Sequence, residues 1–248
     1  MSAPRLSVAI IARNEADRLP GCLASVQGLA DEVVVLDTGS TDNTVAIAEA
    51  AGARVARHDF LGFGPTKQMA IELTNGAWIL SIDADERLSP ALAAAIRQVL
   101  ASPSAAEGYE LNRRMFLLGR MLRFGGLHDE WVVKLFRRGR GHFTAAQVHE
   151  HVDVTGRTGR IAGVLEHHTV RTLGEYVTKV EWYAAMRADE LAVRGVRWRP
   201  WDALRLPLNF LLIAVLRLGV LDGTAGLVYA GVTAYSSWLK RDLLRRRP

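Results

Sequence analysis

The chain has a single cysteine, Cys22, among its 248 residues. An intramolecular disulfide is therefore excluded, as is a cysteine-based metal cluster, and a reducing compartment fits. Neither G-x-G-x-x-G nor G-x-x-x-x-G-K-[ST] occurs, which argues against a dinucleotide fold and a P-loop. There is no repeat and no low-complexity tract. The opening stretch, MSAPRLSVAIIARNE, has only a short apolar run before Arg13 and Glu15, too short for the core of a signal peptide, so the expected compartment is the cytoplasm. Long hydrophobic runs are also scarce. LPLNFLLIAVL, residues 206 to 216, is charge-free but too short to span a bilayer, and GTAGLVYAGVTAYSSWL, from residue 223, is rich in Gly, Ser and Thr.

With 49% hydrophobic and 23% charged residues, the chain has the balance of a globular protein rather than a disordered one. Its length suits one domain with an appendage. A net charge of +5 and a pI near 9.7 favour an anionic partner, with acidic lipid, nucleotide-linked substrates and nucleic acid all qualifying on charge alone.

Over the first hundred residues short apolar runs alternate with helical stretches. LSVAII (6 to 11), EVVVLD (32 to 37), ARVAR (53 to 57) and AWILSID (77 to 83) read as buried strands. Residues 15 to 27, 42 to 51, 65 to 74 and 89 to 101 read as helices, with Ser89 before Pro90 as a cap and first turn. This alternation predicts a mainly parallel sheet flanked by helices, which binds ligands at the carboxyl ends of its strands. Three polar motifs fall at those ends: ARNE, DTGSTDNT and DADE. Asn14, Asp42 and Ser89 would equally serve there as helix caps. From about 105 to 170 the pattern changes to strands at GYELN, WVVKLF and RIAGVLEHH, and residues 172 to 195 return to helix.

Asp83 and Asp85 close a buried strand. Side chains at i and i+2 point the same way, so the two carboxylates form half of a site for a hard divalent ion, with a substrate diphosphate completing it. Glu86 is offset to the other face and supports the turn before Ser89. Asp37, at the end of the second strand, can accept hydrogen bonds from a base or ribose. Basic residues gather between the halves, including Arg113, Arg114, Arg120, Arg123, Lys134 and Arg137. Lys134, inside WVVKLF, needs a partner of opposite charge.

The ordered blocks LSVAIIARNEADRLPGCLASV, DEVVVLDTGSTDNTVAIAEAAGARV, GFGPTKQMAIELTNGAWILSIDADE and WVVKLFRRG resemble glycosyltransferase family 2, and most of all its lipopolysaccharide-core branch, often described as β-1,4-glucosyltransferases. The resemblance covers residues 6 to about 190. It implies a GT-A nucleotide-diphospho-sugar transferase fold and an inverting transfer from a nucleotide-sugar, with UDP preferred and glucose the expected sugar. Mg²⁺ or Mn²⁺ is the implied cofactor. By the same resemblance Arg13 and Glu15 lie near the nucleobase, Asp37 holds uracil or ribose, Lys67 meets base or phosphate, Asp83 contacts the nucleotide and Asp85 binds the metal. Lys134 joins the nucleotide-sugar set. Glu130 matches the general base, with Asp129 as the alternative. His149, in VHEHV, matches a histidine that completes the metal shell. His167 and His168 read as a strand end without a role.

The expected architecture is a catalytic domain over 1–170, with a nucleotide-binding half over about 1–100 and an acceptor half over about 101–170. A C-terminal helical extension follows over 171–248. Trp198, Trp201, Trp238 and the closing KRDLLRRR point to helices on an acidic membrane surface, against a competing packing on protein or on a second copy. The expected partners are therefore a nucleotide-sugar donor, a glycolipid acceptor on the inner face of the cytoplasmic membrane, and no nucleic acid. A sugar nucleotidyltransferase is the alternative enzyme, but IIARNEADRLP lacks the Gly-rich basic loop such enzymes need after the first strand. A non-catalytic nucleotide-sugar-binding scaffold is the third reading.

Overall fold

The computed structural model describes residues 5–102, 106–127, 129–144, 151–170 and 172–246, without the Glu190 side chain. Strands β1 (Leu6–Ala12), β2 (Glu32–Asp37), β3 (Arg54–Arg57) and β4 (Trp78–Asp83) alternate with helices α1 (Leu19–Val26), α2 (Thr44–Ala50) and α3 (Phe63–Glu72). β1 pairs in parallel with both β2 and β4, and β2 pairs in parallel with β3. Val8, Ile10, Val34, Val35 and Leu80 are wholly buried. Burial on both faces of a covered parallel sheet is why these strands read as unbroken apolar runs.

After β4 come β5 (Glu86–Leu88), α4 (Pro90–Ala101), β6 (Gly108–Leu117), β7 (Arg120–Met121), β8 (Glu130–Arg137), β9 (Gly141–Phe143), β10 (Val152–Val154) and β11 (Thr158–Val170). β8 runs antiparallel to both β4 and β6, and β11 runs antiparallel to β5. Among the described residues the main sheet has nine strands in the order β3-β2-β1-β4-β8-β6-β11-β5, with β7 beside β6, and β9 and β10 form a separate ribbon. The expected α/β sheet is present: β1–β4 pair in parallel, and β8 and β5 introduce antiparallel neighbours. The antiparallel neighbours of β4 and β5 are brought together over long stretches of chain: β8 returns beside β4 after β5, α4, β6 and β7, and β11 returns beside β5.

Local chemistry sets the rim. Ser89 caps α4 as expected, its Oγ accepting from Leu92 N–H at 3.3 Å, and it also accepts from Val164 N–H on β11 at 3.2 Å. Gly163 sits opposite at φ +122°, where a Cβ would lie 2.6 Å from Leu92 Cα; only glycine fits this approach. Asn14 does not cap a helix, whereas Asp42 does take the first N–H of α2. Asn14 has φ +56° and accepts from Thr41 N–H at 2.8 Å, while Asp42 accepts from Ala16 N–H at 3.2 Å and Thr44 N–H at 3.0 Å. Both side chains lace the loop after β1 to the loop after β2.

The chain divides into two compact units, residues 1–114 with 129–167, and residues 115–128 with 168–248. The second unit contains α5 (Leu173–Val193), a 3₁₀ turn (Pro200–Leu204), α6 (Arg205–Leu211), a π-helical stretch (Leu212–Leu216), a further 3₁₀ turn (Gly219–Asp222) and α7 (Gly223–Arg245). Leu117, Leu122, Val170, Tyr176, Ala225 and Val232 form its core. The buried Asp222 carboxylate accepts from the N–H groups of Arg123 and Phe124 at 2.9 and 2.8 Å, fixing residues 115–128 to the start of α7.

Candidate active site

Four carboxylates, Asp83, Asp85, Glu86 and Glu130, occupy the end of β4, the turn after it, the start of β5 and the start of β8, all within the first unit. Each has a cation. Asp83 takes Lys67 Nζ on Oδ1 at 2.7 Å and Lys134 Nζ on Oδ2 at 3.1 Å. Lys134 also reaches Glu86 Oε2 at 2.7 Å. Arg113 holds both oxygens of Glu130, at 2.9 and 2.7 Å, and places another nitrogen 3.6 Å from Glu86 Oε1. Asp85 Oδ2 has His167 Nε2 at 3.3 Å and Arg18 at 4.0 Å. The crowding of acidic residues after β4 is thus offset by two buried lysines, from α3 and β8, and by the half-buried Arg113 of β6 and Arg18 ahead of α1.

These pairings set the protonation states. Burial alone would raise the Asp83 carboxyl, but Lys134 and Lys67 hold it far below the usual carboxylate range. For Asp85, burial is again outweighed, here by the His167 hydrogen bond and charge. Glu130 is lowered first by its hydrogen bonds from Arg113. Burial works against the Arg113 charge, but Glu130, Glu86 and Asp83 together push its pKa up. All three carboxylates are therefore ionised at neutral pH. Cys22, beneath the Asp83 carbonyl, has its thiol pushed up by burial and stays an inert core residue.

The remaining expected residues fall around this rim. Asp37 is buried at the end of β2, where its carboxylate accepts from Gly39 N–H and Ser40 N–H; Gly39, at φ +96°, makes the turn that aims both amides back. A carboxylate has about four acceptor sites, so this turn does not exhaust Asp37. Glu15 is bound by Arg18 at 2.6 Å, and Arg13 is exposed. Asp129 receives Asn112 Nδ2 at 3.0 Å and an ion pair from Arg114, both on Oδ1. His149 lies outside the described residues.

Sequence reasoning undervalued four residues. Glu86 does close the turn, accepting from Asp83 N–H at 2.9 Å, but it is wholly buried and binds Lys134. Arg113 stood out only as one of several basic residues, although it lies directly across from Glu130 in the β6–β8 ladder. Arg18 joins Glu15 to Asp85. His167, read as a strand end, is the described imidazole at Asp85. Its register opposite Glu86 on β5 puts it there, a long-range pairing that spacing along the chain does not reveal.

The donor set fits a divalent cation shared with a substrate. Among the described residues no three His, Cys, Asp or Glu side chains converge into a prebuilt cage. One carboxylate with one imidazole suits Mg²⁺ or Mn²⁺, which keep water and substrate phosphates in their shells. The balance of charge fits too, since four carboxylates face Lys67, Lys134, Arg113 and Arg18. A site so neutralised can admit a dication with a diphosphate of nearly equal and opposite charge.

Residues 7–109 match the family model described as glycosyl transferase family 2. The chain is similar to the lipopolysaccharide core biosynthesis glycosyltransferase LpsC of Rhizobium meliloti, with 31% identity across 98% of this chain and 95% of that protein. It is also similar to an uncharacterized glycosyltransferase of Rickettsia typhi, at 27% identity over 97% of this chain and 87% of that one. Among solved structures, glucosyl-3-phosphoglycerate synthase from Mycobacterium tuberculosis, in complex with Mn²⁺, UDP and glucosyl-3-phosphoglycerate, matches 45% of this chain and 44% of its own, with 28% identity and a TM-score of 0.39. Similarity to LpsC along nearly the full length of both proteins, together with the family model over the parallel half of the sheet, establishes that the chain belongs to glycosyltransferase family 2 and carries its GT-A fold.

Proposed function

We propose that this glycosyltransferase moves a hexose, with glucose the first candidate, from a UDP-sugar to a hydroxyl of a glycolipid acceptor such as the lipopolysaccharide inner core, with inversion at the anomeric carbon. The observation that carries the reading is the pairing of Asp85 with His167 at 3.3 Å on the same rim as an ionised, arginine-held Glu130. LpsC, named for lipopolysaccharide core biosynthesis, supports the acceptor class, and the carboxylate–imidazole pair beside buried lysines supports a diphosphate donor with a divalent ion.

In this reading Asp85 and His167 would hold Mg²⁺ or Mn²⁺, which would supply positive charge to a leaving diphosphate. Asp37, Glu15 and Arg13 bind the nucleoside end. Asp83 is fixed by Lys67 and Lys134, and those lysines lend positive charge toward the diphosphate. Glu130 takes the proton of the acceptor hydroxyl while that oxygen bonds to the anomeric carbon and the carbon–diphosphate bond breaks, releasing the nucleoside diphosphate. Arg113 keeps Glu130 ionised and oriented; Asp129 is the alternative base. We place the enzyme on the inner face of the cytoplasmic membrane, where such an acceptor is built.

The test is a screen of nucleotide-sugars by thermal shift with and without Mn²⁺, followed by mass analysis of the transferred product. UDP-sugars that stabilise only with Mn²⁺, and a hexose added to acceptor, are expected. Pyrophosphate release from a nucleoside triphosphate, without sugar transfer, would replace this reading with a nucleotidyltransferase.

A further inference from the structure

Ten of the twenty exposed large apolar side chains among the described residues fall between Trp201 and Leu221. Leu208, Leu211, Val215 and Leu216 on the α6–π stretch are 53 to 76% exposed, and Leu218 and Leu221 on the following turn are 49 and 60%. No single helix among the described residues is long and apolar enough to cross a membrane, but Pro200–Leu216 and Gly219–Arg245 meet at a 71° bend and together pass that test. The bend leaves the leucines at an elbow. An apolar surface this concentrated has a partner.

The charges around the elbow indicate which partner. Only Arg205 and Arg217 interrupt residues 203 to 221. Arg205 turns back to the buried Asp202 at 2.6 Å. The Arg217 guanidinium lies against Gly126, so close that a Cβ there would sit 2.6 Å from it. The elbow therefore presents hydrocarbon without charge, while its base is cationic. Arg241 also approaches Asp202, at 3.9 Å, and Lys240 lies among Arg187, Arg205 and Arg241, with burial and those charges lowering its pKa. Trp201 is 60% exposed under Arg199, and Trp198 stacks with Arg245. Exposed leucines, tryptophans and clustered cations in one unit are the components that suit the hydrocarbon, interface and phosphate layers of a bilayer.

Length sets the depth. The twelve residues Arg205–Leu216 reach about 18 Å at 1.5 Å per residue, close to one leaflet of a hydrocarbon core roughly 30 Å thick. A full span is disfavoured because α7 buries small residues, Ala225, Gly226, Ala230 and Ala234, within its own unit.

We propose that residues 204–221 form a re-entrant elbow that inserts into one leaflet of an anionic bilayer, with Arg187, Arg205, Lys240 and Arg241 at its base meeting lipid phosphates. This deepens the membrane placement above and rests on that reading. A second copy of the chain would cover leucines but would bring its own cations against the cationic base; an anionic lipid surface satisfies both.

The test is flotation of the intact protein with vesicles of phosphatidylcholine alone and with phosphatidylglycerol added. The protein is expected to float with anionic vesicles and far less with neutral ones. Leu211→Glu with Leu216→Glu should reduce binding roughly tenfold or more, since buried hydrocarbon area sets interfacial affinity. Lys240→Gln with Arg187→Gln should remove the preference for anionic lipid while leaving the melting temperature near wild type. Equal flotation of the leucine variant overturns the proposal, as does loss of a dimer in that variant with no vesicle binding by the wild type. Mn²⁺-dependent UDP-sugar binding, measured on the same samples, separates the two readings: nucleotide binding without flotation removes the elbow alone, and flotation without nucleotide binding removes the catalytic reading alone.

Discussion

Arg113 closes on both carboxylate oxygens of Glu130, at 2.9 and 2.7 Å, from the position directly opposite it in the β6–β8 ladder. A planar guanidinium can make this two-point grip and an ammonium cannot. The grip fixes the orientation of Glu130 and keeps it charged, the two properties a general base needs before its substrate arrives.

Glu130→Gln should therefore keep donor binding and lose transfer by about 10²- to 10⁴-fold, the usual worth of a positioned base. Steady-state turnover beside calorimetric UDP-sugar affinity checks this. A larger loss in Asp129→Asn would move the role to Asp129.

Arg113→Lys should shift the acid limb of the pH–rate profile upward. The Arg113 hydrogen bonds are the first cause of the lowered Glu130 pKa, so weakening them lets that pKa rise and protonates the base at a higher pH. A profile unchanged in shape, with only its height reduced, would make Arg113 structural.

Asp85→Ala and His167→Ala should each weaken Mn²⁺-dependent nucleotide binding, whereas metal-independent nucleotide affinity changes little. Titration of Mn²⁺ by electron paramagnetic resonance in the presence of UDP reads this directly. Unchanged Mn²⁺ affinity in both variants would sink the assignment.

Lys134→Met should cost about 3–5 kcal/mol, because it leaves the wholly buried Glu86 without its closest cation. Lys134→Met with Glu86→Gln should recover part of that loss in urea unfolding. The acid side follows in sign. The folded Asp83 pKa is depressed, so its contribution is complete above the unfolded value near 3.9 and is lost as pH falls below it. Wild-type stability should drop on acidification below about pH 4.

Ser89→Ala should cost about 1 kcal/mol or somewhat more, the ordinary worth of a cap plus the added bond to Val164 N–H. Chemical denaturation measures it.

How far the sequence carried the reading followed physical range. The parallel half was legible because a doubly covered strand writes its burial into consecutive residues, as in EVVVLD, and because Ser89-Pro90 marks a helix start locally. The order of the antiparallel strands was not, since β11 reaches β5 across some seventy residues. The site divided along the same line. Asp83 and Asp85 stood out from position alone, at the end of a run of apolar residues. Their cations did not, because Lys67, Lys134 and Arg113 come from three different elements. His167 was passed over for the same reason: its place depends on a register, and a register is a property of two strands. Asn14 carries a residue type that suits a cap equally well, and only the path of the loops shows that it ties loop to loop.

The alternation Glu130–Arg113–Glu86–Lys134–Asp83–Lys67 has a consequence for how this protein can evolve. Every interior link touches two of opposite sign, so a single change strands a neighbour. Homologues that have lost the cation at position 134 should also have lost the acid at 86, and an arginine absent at 113 should go with a changed residue at 130. Variation along this line should come in matched steps, which gives an expectation for covariation between positions far apart in the chain.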